Sequence, residues 1–589
     1  MTSAGLTTPI PISAGVKQGC PLSPVIFDLA MEPIIRSVTA LKPLSFKLGL
    51  VDIPILAFAD DLALLARNEA ALQQQLDVAA ETADWCGLNF KPAKCATLHL
   101  LHRKVIDSVF TIEENPLAVL GEGQHYRHLG VPTGFRNKQT PDETISTIGT
   151  DLDRLDTSLL APWQKIDAVV SFLVPRLDFI LRGADVKVKP LKTLDKRMKK
   201  YVKKWMNLPQ RASAEVVFIP SPQGGAGILP FSDMRNVCAV THGYRLLTCP
   251  DNDVRETAWD TLKTAVQLKI RRVPTMEDIA SYLNGSTEGD MALTNGDVPS
   301  LWSRTRMCTR ALRRTVEVEW WWCATRGEMQ LIVPRLDKEP NQARAHPAAR
   351  QQVCHLIKTA LRSYYLHRLT SKPDQGKVYS VTSLRSAFNH MMKSGLYTRF
   401  ADWRFLHRAR LDTMPLNGTR RFGDGSKRCR RCNHILETLP HVLSHCKYVS
   451  RPRALRHHSI VHRLARGTPA IAGTVTEDQK IPGTSGQLRP DLVVTNAASR
   501  SISIIDVAVA FENKYEAFQL ARAGKIQKYA LLADELRSQG WDVYLNAFVV
   551  GALGGWDPDN ETVIRQIRIS KSYAKLMKKL IVSDTIRWS

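Results

Sequence analysis

The hydrophobic positions of this chain fall into alternating stretches of strand and helix character. Ile55 to Ala66 is an apolar run broken only by Asp60 and Asp61. Upstream, Phe27, Met31 and Ile35 recur at helical spacing after the segment Gly15 to Pro24, where Pro21 suits a first helical turn and Gly15 and Gly19 let backbone approach a ligand. From Asp151 the period is helical, through Leu152, Leu155, Leu159, Leu160, Ile166, Val169, Val170 and Leu173, with Pro175 as punctuation. Leu194 to Trp205 predicts the clearest amphipathic helix: Leu194, Met198, Tyr201, Val202 and Trp205 on one face, Lys196, Lys199, Lys200, Lys203 and Lys204 on the other. Residues 251–415 predict a basic, mostly helical linker, with Trp320, Trp321 and Trp322 as core or as a base-stacking platform. Towards the carboxyl end, Arg489 to Val494 and Ile502 to Phe511 read as strands, the second β-branched enough to be central.

Polar residues inside these runs mark candidate chemistry. Two adjacent carboxylates in an apolar stretch repel each other and lose hydration, so a compensating charge is expected. A pair of divalent cations supplies it in enzymes that join nucleotides, whereas a helix start with an acidic first turn is the plainer alternative. Cys429 and Cys432 are followed after eight residues by His441 and after four more by Cys446, a donor set and spacing suited to zinc, with His434 and His445 as competing ligands. Asp491 opens one predicted strand, and Asp506 follows after fourteen residues inside the next. Lys525 and Lys528 then share a helix face. Two acids on neighbouring strands plus a lysine suit a Mg²⁺-dependent phosphodiesterase, against the alternative of a salt-bridged core acid.

Charge narrows the partners. Lys and Arg number 81 against 56 Asp and Glu, a formal net charge of +25 over 589 residues, which points to nucleic acid. The lysine face of residues 194–205 fits a surface that tracks phosphates, although plain solubility would also explain it. No run of about 18 apolar residues predicts a membrane span. The eleven cysteines, scattered except for one cluster, favour a reducing compartment over a disulfide framework.

Four ordered segments carry a family resemblance: Gly15 to Gly19, the Ala-Asp-Asp of residues 59–61, Gly87 to Cys95, and Tyr126 to Val131. Together they resemble the palm of reverse transcriptases from non-LTR retrotransposons. The resemblance implies that Lys17, Gln18 and Gly19 touch template and nucleotide, that Asp60 and Asp61 hold Mg²⁺, that Lys94 lies near the triphosphate, and that Tyr126 to Val131 forms a primer grip. The family places a further aspartate upstream of Gly15, so the chain reads as a fragment. Cys20 stands where such sequences often have an aspartate. Residues 194–230 resemble the thumb. The Cys-Cys-His-Cys set followed by Pro490-Asp491, Asp506 and a displaced lysine resembles the restriction-enzyme-like endonuclease of site-specific elements that insert into ribosomal RNA genes. The usual lysine position is Ala508, which leaves Lys525 and Lys528 as alternatives. Arg456-His457-His458 matches an upstream basic motif of that endonuclease, and Glu512 is a further nearby acid.

The expected architecture is multidomain α+β and α/β: a partial polymerase palm (1–135), helical thumb (136–250), helical linker (251–415), zinc knuckle (416–450) and restriction-enzyme-like α/β endonuclease (451–589). The implied cofactors are Mg²⁺ at both catalytic sites and Zn²⁺ in the knuckle. The implied partners are an element RNA template, deoxynucleoside triphosphates, double-stranded target DNA in ribosomal RNA genes and a second copy of the protein, in the nucleus or nucleolus and without a membrane. The alternative function is a catalytically dead or domesticated nucleic-acid-binding relic.

Overall fold

The computed structural model describes residues 15–17, 19–49, 51–292, 298–334, 342–384, 389–419 and 425–589. Near the amino end, helix Ser23–Ala40 packs on helix Glu69–Trp85 through Met31, Ile34, Val38, Ala79 and Ala83. Asn68 caps the second helix, its side chain accepting from the Ala71 amide at 2.9 Å. The apolar run that follows residue 54 folds as a hairpin of strands Ile55–Phe58 and Asp61–Leu64, with Phe58 opposite Asp61. Ile55, Leu62 and Leu64 turn towards the helix pair.

Helices Asp142–Thr157, Pro162–Ala168, Pro175–Gly183 and Val188–Trp205 follow. Leu159 departs from the helical pattern expected of it. The first helix ends at Thr157, and Leu159 lies in the connection, fully exposed. Pro175 starts a helix, at a position where a missing N–H costs nothing.

Residues 251–415 are mostly helical, but they also hold an antiparallel sheet of Glu319–Cys323, Glu328–Pro334 and Gln342–Ala345. Nor do they behave as a linker: Leu262, Trp302, Leu331, Ile357 and Trp403 belong to one continuous hydrophobic core with residues of 148–247 and 460–586. Trp320 is buried there, its Nε1 donating to Thr309 Oγ1 at 3.0 Å. Trp322 meets Trp259 edge-on, and Arg344 lies over the half-exposed Trp321.

The carboxyl-terminal region is an α/β layer. Its sheet runs Thr474–Glu477, Leu492–Asn496, Ser501–Ala510, Asp542–Gly551 in spatial order, antiparallel except for the last pair. Helix Glu516–Ser538 crosses over between the two parallel strands. Strand alternation assigns Val493, Ile502 and Ile504 to the face under this helix, where Tyr529, Leu532 and Leu536 meet them. Leu492, Val494, Ile505 and Val507 face the other way, into the core shared with helices Ser450–Gly467 and Lys571–Arg587.

Candidate active sites and metal centre

At the amino-terminal hairpin, Ala59 and Asp60 form the two-residue turn, with Ala59 at φ +51°. Asp60 is exposed and Asp61 half-buried. The expected burial of the two carboxylates is therefore corrected. Leu56 and Phe58, on the open side of the hairpin, are 54% and 67% exposed, so the apolar run does not enclose the acids. Two neighbouring carboxylates at a hairpin tip still offer oxygen donors to a divalent cation. Lys17 and Lys94 are exposed, Gly19 turns at φ +86°, and Gln18 lies outside the described residues. Tyr126–His128 and Val131–Thr133 form a second hairpin around Leu129 and Gly130, both at positive φ.

The lysine face of helix Val188–Trp205 divides in two. Lys196 and Lys200 are exposed and Lys199 half-exposed. Lys203 instead donates to the carbonyls of Gln210 and Ala212, and Lys204 pairs with Asp156 at 2.7 Å. Burial pulls the Lys203 ammonium below its usual range. Lys203 and Lys204 thus hold their ammonium groups against neighbouring segments, with Lys204 still 64% exposed. Asp195, on the buried face, accepts from the amides of Phe231 and Ser232 at 2.6 and 3.2 Å. It satisfies the open amino end of helix Phe231–Leu247, while its burial pushes the carboxyl up.

The cysteine cluster closes in space. Ligand atoms of Cys429, Cys432, His441 and Cys446 all lie within 4.8 Å of one another. Cys432 Sγ is 3.1 Å from His441 Nε2. Of the competing histidines, His445 is exposed, and His434 stacks on the His441 ring at 4.4 Å between centroids. Glu437 braces the loop: its buried carboxylate meets Arg430 and accepts from the amides of Asn417 and Arg430 at 2.8 and 3.1 Å. Burial opposes ionisation, but Arg430 and these amides outweigh it and hold the carboxyl at about 2. Three thiols and an imidazole around one point are the donor set that suits zinc.

The third site is set by strand register. Leu492 lies opposite Ile505, so Asp491 and Asp506 are the next pair across the antiparallel strands and share the face under helix Glu516–Ser538. Lys525 on that helix reaches Asp506 Oδ2 at 2.5 Å. Lys528 bonds the Tyr529 hydroxyl at 2.9 Å, and that phenol in turn borders Asp506. Asp491 Oδ2 accepts from the Val507 amide at 2.7 Å and lies 3.0 Å from His457 Nε2. Burial raises the Asp506 carboxyl and the adjacent Asp491 charge raises it further, with Lys525 opposing. Burial also acts against Asp491, yet the bond to His457 leaves its carboxyl low. Glu512 does not join this group. It is fully buried, and its Oε1 accepts from the amides of Leu553 and Gly555 at 2.7 and 2.9 Å. Arg456 is buried too, donating to the Leu443 carbonyl at 2.7 Å. His457 is thus the residue of the Arg-His-His motif that reaches the acids.

Among the described residues no helix is long and apolar enough to cross a membrane. The reverse transcriptase (RNA-dependent DNA polymerase) family matches residues 2–137. A Pol polyprotein from the type-2 retrotransposable element R2DM of Drosophila melanogaster is 24% identical over 87% of this chain and 42% of its own length. Pol polyproteins from type-1 R2 elements are also similar. That of Nasonia vitripennis is 31% identical over 37% of this chain and 21% of its own, and one from Popillia japonica is 22% identical over 90% and 95%. This chain spans less than half the length of the first two of these relatives. Its reverse transcriptase segment and its similarity over most of its length make the chain a homologue of the Pol polyproteins of R2 retrotransposable elements.

Proposed function

We propose that the chain serves target-primed reverse transcription: it nicks one strand of duplex DNA and copies an element RNA from the exposed 3′ end. The nicking half is carried by one observation, the placement of Asp491 and Asp506 opposite each other with Lys525 on the inner carboxylate. The two acids would hold Mg²⁺, which when bound supplies Lewis acidity and an activated water. Lys525 stands where it can neutralise charge developing on the scissile phosphate. The polymerase half rests on the reverse transcriptase match, a family that uses a divalent metal such as Mg²⁺, and on the Asp60–Asp61 hairpin tip. The Cys429, Cys432, His441, Cys446 centre is read as a zinc knuckle whose metal provides much of the local folding free energy. On this reading the partners are element RNA, deoxynucleoside triphosphates and a ribosomal RNA gene target, met in the nucleus, with a second copy available for the second strand.

The test is a nicking assay on target duplex. Asp506→Asn should lower Mg²⁺-dependent nicking by about a hundredfold or more while leaving duplex binding in place, because binding rests on dispersed cations. Parental nicking by Asp506→Asn would remove the endonuclease reading.

A further inference from the structure

Helix Ser450–Gly467 touches both the cysteine cluster and the paired acids, at consecutive residues. Arg453 donates to the Ser444 carbonyl at 2.5 Å, and Arg456 to the Leu443 carbonyl at 2.7 Å. Both carbonyls belong to the helical turn His441–His445, which supplies one ligand of the cluster and leads directly into another, Cys446. The Cys446 amide closes that turn on the His441 carbonyl at 2.8 Å. The residue after Arg456 is His457, 3.0 Å from Asp491 Oδ2. The Val507 amide uses the same oxygen, so both donors hold Asp491 Oδ2.

We propose that zinc at Cys429, Cys432, His441 and Cys446 positions the cleavage centre through this helix: Arg453 and Arg456 fasten the helix to the metal-bound turn, and His457 fastens Asp491 to the helix. His457 is a positioning residue for the proposed Mg²⁺ site. The inference rests on the nuclease reading above for its consequence, but the mechanical link is testable without it. Leu439 and Leu443 anchor this segment in the shared core, so what the metal adds is the link from the 441–446 turn to Cys429 and Cys432, and without it the turn is less restrained. The two guanidinium groups then lose fixed acceptors, and with them the helix position that brings His457 to Asp491.

The experiment uses the full chain. Zinc is removed with a chelator and returned at one equivalent, and amide hydrogen exchange is followed in peptides covering 441–446, 453–460 and 489–495. Zinc should slow exchange in all three, on the order of tenfold or more. In His457→Ala it should slow only the first two, and His457→Gln, whose side-chain amide can still donate to Asp491, should restore protection at 489–495. Arg453→Met keeps the aliphatic stem at a half-exposed position, so the fold should survive. It should bind zinc one to one yet pass less protection to 489–495. The proposal is overturned if zinc leaves 489–495 unchanged in the parental protein, or if His457→Ala protects that segment as fully as the parent. Mg²⁺-dependent nicking is measured on the same samples. A zinc-loaded parent that does not cut would end the cleavage reading, while the exchange result would still decide the link.

Discussion

Lys525 and Lys528 sit one helical turn apart, and only their side-chain directions separate them. Lys525 meets Asp506, whereas Lys528 rests over the Tyr529 ring with its ammonium on the phenol oxygen. Lys525→Ala should therefore lower nicking by about a hundredfold, and Lys528→Ala by no more than a few-fold, in single-turnover assays with saturating Mg²⁺. Equal losses would show that the two amines exchange places during the reaction. Glu437 gives a stability counterpart. Its buried carboxylate accepts from Arg430 and two amides, so Glu437→Gln should destabilise the knuckle by about 1–3 kcal/mol, read as weaker zinc retention against a competing chelator.

At the scale of the element, helix Val188–Trp205 has two functions on two faces. Its buried Asp195 closes the amino end of helix Phe231–Leu247. Asp195→Ala should cost about 1 kcal/mol in urea unfolding, the usual value of a lost cap. The cap has a pH signature. The folded carboxyl titrates above its unfolded value, so its ionisation is a destabilising term that is absent below pH 3.8 and grows as pH rises through the folded value. On the outer face, replacing Lys196, Lys199 and Lys200 by Gln should weaken nucleic-acid binding and flatten its salt dependence by about one slope unit for each phosphate no longer neutralised. Lys203→Gln should act on stability instead, because that ammonium holds the 210–212 carbonyls. A Lys203 variant that changes only the salt slope would reverse this division.

For the whole molecule, the half-buried His242 and His390 and the buried His407 should weigh on stability in acid. Burial, then Arg304, Arg182 and Arg245, hold His242 at about 4. Burial beside Lys579 and Arg410 holds His390 at about 4, and burial with Arg410 holds His407 at about 3. A depressed histidine stabilises above its unfolded pKa of 6.5 and loses that contribution as pH falls towards the folded value. Stability should decline from pH 6.5 to about 4, each group adding at most about 1.4 kcal/mol per pH unit. His407 stands against the Trp403 ring, with neither ring nitrogen bonded to another protein group among the described residues. His407→Phe should make the decline shallower without lowering neutral-pH stability, as followed by thermal unfolding from pH 4 to 7. A steeper decline would contradict it.

The chain itself carried whatever depends on near neighbours. The period of Leu194, Met198, Val202 and Trp205 specified a helix because residues three and four apart share a face whatever surrounds them. The spacing of Cys429, Cys432, His441 and Cys446 proposed a metal centre because a short loop can reach around one ion. The β-branched run around Asp506 is a strand, as its composition indicated. Long-range relations were not legible in this way. The acids of Ile55 to Ala66 looked buried in sequence, yet the hairpin has one face open, and exposure depends on what packs beside it. Residues 251–415 looked like a linker because their apolar residues are dispersed, but they share one core with segments distant in sequence. Lys525 was separated from Lys528, and His457 joined to Asp491, only by tertiary structure. Strand register and helix placement bring together side chains 19 and 34 positions apart, and no local pattern encodes those distances.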